Sequence, residues 1–170
     1  GEISYLENNE GEITATRVSY SYVKARLFGF LGWDKYILTE DRMLADFLDF
    51  LVKLTCEGSF FSCKIIYIGG GDQVVDLLDR NATDECLAES SSVIAVLDGD
   101  RSRKPYASPQ SVVLIPVLDL EKELFSRRLS DAAFPFEYAP KDFTSAKDFF
   151  AYLIQTRVAT QAQIFKYLLA

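Results

Sequence analysis

The stretch Val93-Ile94-Ala95-Val96-Leu97-Asp98-Gly99-Asp100-Arg101 decides how the rest of the chain is read. Five apolar residues run straight into two carboxylates separated by a glycine. A buried strand ending this way carries two acids to the rim of a sheet, and Gly99 lets the backbone turn there so that both face one point. Oxygen pairs of this kind hold hard divalent cations.

Working outward, the same strand-then-acid pattern occurs earlier, in Lys35 to Glu40. Leu44, Phe47, Leu48, Leu51 and Val52 follow at helical spacing, so strand, turn and amphipathic helix are expected. Cys63 to Ile68 repeats the strand and runs into Gly69-Gly70-Gly71, a tight turn before a helix with Val74, Val75, Leu77 and Leu78 that Asp72 is expected to cap. Ser91 to Leu97 is the third strand. A basic loop from Arg101 to Gln110 leads to a fourth, Ser111 to Ile115, stopped by Pro116. Strands alternating with helices imply right-handed crossovers and a mostly parallel sheet. Acids at the carboxyl ends of such strands lie where open α/β sheets place ligands.

The flanks are simpler. Ile3 to Leu6 and Ile13 to Ser19 read as a hairpin joined by the polar Glu7-Asn8-Asn9-Glu10-Gly11, followed by a helix from Ser19 to Leu31 that Gly32 ends. Asp119 to Arg128 is expected to be helical, and Ala132 to Pro140 is an aromatic loop whose rings serve packing. Thr144 to Ile154 and Thr160 to Leu169 close the chain as an accessory helical pair, each with a threonine to cap it. The organisation expected is residues 1–32 as a hairpin and helix joining to an upstream domain, 33–128 as the α/β core, and 129–170 as a C-terminal helical extension.

Composition removes several chemistries. At 170 residues and 49% hydrophobic the chain can bury a full core. It has no histidine, so Ser-His and Cys-His nucleophiles and histidine-ligated zinc are excluded. Its three cysteines, Cys56, Cys63 and Cys86, show no CxxC spacing and support neither a zinc site nor a disulfide framework. A net charge of −7 argues against gripping nucleic acid unaided. No apolar run suffices for a membrane span and no signal peptide opens the chain, so a cytoplasmic location is expected. The start at Gly1 suggests a larger native protein.

In a doubly wound sheet the first and third strands of this series are neighbours, which brings Glu40 close to Asp98 and Asp100. Three carboxylates from adjacent strand ends suit Mg²⁺ or Mn²⁺, and the reaction class is metal-assisted phosphoryl transfer or phosphodiester hydrolysis. Ile37-Leu38-Thr39-Glu40, then Ile68-Gly69-Gly70, then Val96-Leu97-Asp98-Gly99-Asp100 resembles the Toprim domain of topoisomerases, primases and the nucleases of the OLD (overcoming lysogenization defect) family. Leu114-Ile115-Pro116-Val117-Leu118-Asp119-Leu120-Glu121 adds a likeness to the OLD family in particular.

The resemblance covers roughly residues 33 to 128. It implies a Toprim-like Rossmannoid core and Mg²⁺- or Mn²⁺-dependent DNA cleavage, with Glu40, Asp98 and Asp100 as the motif acids. It implies too an ABC-type ATPase that lies outside this chain, which has no GxxxxGK[ST], as well as assembly into a homo-oligomer and a role in defence against phage. Two positions depart from the family pattern: Asp41 stands where a glycine is usual, and Leu44 where an acid is common. Asp41, Asp46 or Glu121 are candidates to serve a second ion. Arg101, Arg103 and Lys104 are candidates to hold a scissile phosphate, Lys104 the first choice for a catalytic lysine and Lys141 the second. Two other readings are a catalytically degenerate interaction or oligomerisation module and a receiver-like phosphoacceptor domain.

Overall fold

A computed structural model describes residues 4–9, 12–17, 33–56, 63–103, 111–139 and 142–170. Strands β1 (Ser4–Asn9) and β2 (Glu12–Arg17) pair antiparallel as the hairpin the sequence predicts. The helix expected between Ser19 and Leu31 lies outside the described residues.

The main sheet contains β3 (Lys35–Thr39), β4 (Cys63–Tyr67), β5 (Val93–Leu97) and β6 (Val112–Leu114), all parallel, in the order β4-β3-β5-β6. The expected neighbours are neighbours, because β3 pairs with β5 through Leu38 with Ala95 and Thr39 with Val96. That register sets Glu40, the next residue, beside the end of β5. Helices α1 (Arg42–Thr55), α2 (Gly71–Asp84), α3 (Leu120–Ser130), α4 (Ala146–Gln155) and α5 (Gln161–Leu168) flank the sheet.

Alternation along β5 divides the core in two. Val93, Ala95 and Leu97 join Tyr36 and Leu38 under Val74 and Leu78 of α2. Val96 faces the opposite way, into a larger cluster with Leu44, Phe47 and Leu48 of α1, Leu120 and Leu124 of α3, and Phe149, Leu153, Ile164 and Phe165 of α4 and α5. Each such side chain taken out of water contributes roughly 1.5–3 kcal/mol. The C-terminal helices therefore complete one face of the sheet's core and are not set apart from it. Phe134 and Phe136 stack edge-on against Tyr167, and Tyr138 against Phe149, in the packing role expected for that aromatic loop.

Two caps differ from expectation. The N-cap of α2 is Gly70, with no side-chain bond; Asp72 sits within the first turn, where the helix dipole favours an acid without any capping bond. In α4 the cap is Ser145, which accepts from the Asp148 amide, while the hydroxyl of Thr144 bonds to the Asp148 carboxylate. Thr160 does cap α5, in a reciprocal box with Gln163. All three cysteines are free thiols. Among the described residues, no helix is long and apolar enough to cross a membrane.

Asn81, only 1% exposed, ties α2 to the loop that leads toward β5, the strand before the paired acids. Its side-chain oxygen accepts from the amides of Leu87 (2.8 Å) and Ala88 (3.2 Å), and its Nδ2 donates to the Ala88 carbonyl at 3.0 Å. Asn81→Ala would strand all three backbone groups away from water. It is expected to cost about 2–3 kcal/mol, read as a lower urea midpoint with an unchanged slope.

Candidate metal centre

At the carboxyl edge of the sheet, Asp41, Asp98, Asp100, Asp119 and Glu121 line one cleft of about 380 Å³ together with Lys122, Ser145, Ala146 and Lys147. The acids come from three directions. Asp41 follows β3 and caps α1, its Oδ1 accepting from the Leu44 amide at 2.9 Å. Asp98 and Asp100 follow β5. Asp119 caps α3, accepting from the Lys122 amide at 2.6 Å and pairing with the Lys122 ammonium at 2.5 Å, and Glu121 lies in the first turn of α3.

Close backbone approach holds the Asp-Gly-Asp turn. The Gly99 amide donates to the Val117 carbonyl at 3.0 Å, and the Ile115 amide to the Leu97 carbonyl at 2.9 Å. A Cβ on Gly99 would run into the Val117 carbonyl oxygen and lie 2.8 Å from that of Ile115, so only hydrogen fits. The chain then enters a 3₁₀ turn, Gly99–Arg103, which separates Asp98 from Asp100.

The crowding has an electrostatic consequence. Burial first, and then the charges of Glu40, Asp41, Asp119 and Asp100, push the Asp98 carboxyl up to about 7. Burial likewise raises Glu121, with Asp119 and Asp41 adding to it and Lys147 opposing it.

Glu40 is placed differently from the other acids. It is 8% exposed, and its carboxylate is already engaged: Oε1 accepts from the Asp98 amide at 3.1 Å, and Oε2 receives Nε and Nη2 of Arg101 at 3.1 and 2.9 Å. Leu44 is 1% exposed within the α1 core, which explains why no acid stands there. Asp46 accepts from Gln161 Nε2 at 3.1 Å and lies away from the cleft, on a surface with Trp33, Arg42 and Lys64. Lys104 and Lys141 fall outside the described residues. Arg127 is bonded to Glu123 and the Tyr167 carbonyl, and Arg128 lies 3.7 Å over the Phe125 ring.

The donors are of the kind a hard divalent cation takes, all carboxylate oxygens in mutual repulsion. Among the described residues, though, no group of three or more acids or thiols is placed so that it could hold a metal ion. Asp41, Asp98, Asp100 and Glu121 line the same cleft, and Glu40, expected as a third ligand beside Asp98 and Asp100, is instead paired with Arg101. Sequence reading missed Asp119, Lys122 and Lys147. Asp119 carried a signal, a capping acid just before Leu120. Lys147 carried none, because its approach to the sheet edge depends on how α4 packs.

No protein-family model, curated protein or solved structure matches the chain. The architecture defines the class: an α/β protein with a four-stranded parallel sheet flanked by helices in a Rossmann-like arrangement.

Proposed function

We propose that this chain carries a Toprim-like nuclease domain that hydrolyses DNA phosphodiesters with Mg²⁺ or Mn²⁺, acting in the cytoplasm as part of a larger OLD-like ATPase-nuclease in defence against phage. The observation that carries the reading is the cleft at the carboxyl edge of the parallel sheet, where Asp98 and Asp100 stand among further acids next to the strand end bearing Glu40.

Asp98 and Asp100 would hold the ion, with Asp41, Asp119 and Glu121 as the additional carboxylates and Glu40 from the adjacent strand. A divalent cation there supplies Lewis-acid polarisation of the phosphate and an acidified water. Lys147 and the amino end of α4, which line the same cleft, would add positive potential there to orient a phosphate and balance charge that develops on it. With a net charge of −7, the grip on the rest of the DNA belongs to the ATPase portion or to a second subunit of a homo-oligomer.

The test is nicking of supercoiled DNA with Mg²⁺ or Mn²⁺ and with EDTA, together with calorimetric titration of Mn²⁺. Lys147→Ala is expected to slow single-turnover cleavage about 10²-fold while Mn²⁺ still binds. Cleavage that survives EDTA would sink the metal reading. The engagement of Glu40 by Arg101 favours, as the alternative, a non-catalytic interaction module, and absence of Mn²⁺ binding at millimolar metal would select it.

A further inference from the structure

Glu40 occupies the position from which β3 would add a third carboxylate to Asp98 and Asp100, yet among these acids it is the one clasped by a guanidinium. The pair is largely out of water, with the Arg101 and Glu40 side chains 27% and 10% exposed. Nη1 of Arg101 also lies 3.8 Å from Asp72, an exposed acid in the first turn of α2. Gly71 is shaped around the pair: a Cβ there would lie 2.8 Å from Arg101 Nε and 2.9 Å from Glu40 Oε2. Glu40 thus has three sources of stabilisation, the Asp98 amide, the amino end of α2 and Arg101, and only the last is a side chain.

We propose that Arg101 is a phosphate-exchanged latch. Without nucleic acid its guanidinium occupies Glu40; a backbone phosphate entering the cleft takes the guanidinium over and frees the carboxylate to join Asp98 and Asp100 about a divalent cation. This rests on the reading of the cleft as a metal centre for phosphodiesters. The planar fork of Arg101 suits phosphate as well as carboxylate, so the swap replaces one bidentate anion with another. Arg101 directly follows Asp100, which lines the cleft, while its head lies outside that lining against Glu40 and Asp72, so the exchange requires the side chain to swing from the amino end of α2 toward the acids. A guanidinium and a metal ion compete for the same oxygen, so metal and nucleic acid must each raise the affinity of the other by the same factor.

Mn²⁺ affinity, measured by calorimetry with and without a short single-stranded DNA oligonucleotide, tests the latch without relying on cleavage. Arg101→Ala and Gly71→Ala are expected to bind Mn²⁺ about tenfold more tightly than wild type in the absence of DNA. Both should lose the gain that DNA confers on wild type, and Glu40→Gln added to Arg101→Ala should cancel the tightening. Gly71→Ala acts by displacing two side-chain ends and favours helix, so it leaves the fold intact. Wild-type binding that Asp98→Asn abolishes but Arg101→Ala leaves unchanged overturns the latch alone. Absence of Mn²⁺ binding in every variant overturns the latch and the metal centre together.

Discussion

Asp98→Asn is expected to abolish metal-dependent cleavage and also to raise the melting temperature of the metal-free protein. The two effects share one cause. The Asp98 carboxyl is pushed up to about 7 by burial and by four neighbouring acids, against roughly 3.9 for an unfolded aspartate. Between those values the folded state binds the extra proton, so stability is greatest at low pH and falls as pH rises from about 4 to about 7. At pH 8 the ionised group opposes folding by something on the order of 1–2 kcal/mol, once its partial access to solvent is discounted. Asparagine keeps the shape and removes the charge. The midpoint at pH 8 should rise by about 2–6 °C, a gain that shrinks by pH 4–5. Added Mg²⁺ should reverse the ranking, because it stabilises only the protein that binds it. Scanning calorimetry at both pH values checks this, and a variant melting below wild type at pH 8 in EDTA would contradict it.

Gly99→Ala should be the most damaging single methyl in the candidate site, at about 3 kcal/mol or more. The atoms it meets are carbonyl oxygens of Val117 and Ile115, and they cannot retreat without breaking the Gly99 to Val117 and Ile115 to Leu97 bonds that join β5 to the segment after β6. Gly70→Ala is the control. Its Cβ would meet only the far end of the flexible Gln73 side chain, and its φ of −177° is extended backbone that any residue adopts. Urea midpoints should separate the two variants by well over 1 kcal/mol; similar midpoints would mean that the turn yields more easily than the contacts indicate.

The sheet was legible because its signal is local and repeated. Each strand is a short apolar run and each interval is long enough for a crossover, which together predict a parallel sheet; Glu40 lands beside Asp98 because the sheet takes the doubly wound order that sets β3 next to β5. Leu44 was legible in one sense and not in another. As a departure from a metal motif it reads as a lost ligand. As the first buried residue of the α1 stripe it faces the sheet, and the fourth residue after Glu40 cannot be core and ligand at once. The pairing of Glu40 with Arg101 lay beyond sequence reading, since 61 residues separate them and the space for the contact is set by the bare Cα of Gly71. Lys147 was hidden for the same reason, because it is brought to the acids by the packing of Phe149 and Leu153 rather than by any motif.

The shared core of α4, α5 and the sheet also bears on inheritance. The acids all precede residue 122, but further lining of the cleft begins at Ser145 and is held by aromatic residues further on. A recombination event that carried off residues 33–128 alone would transplant the acids without that further lining or half of their supporting core. The heritable module is therefore the whole span from β3 to α5, longer than the run of strands and acids alone.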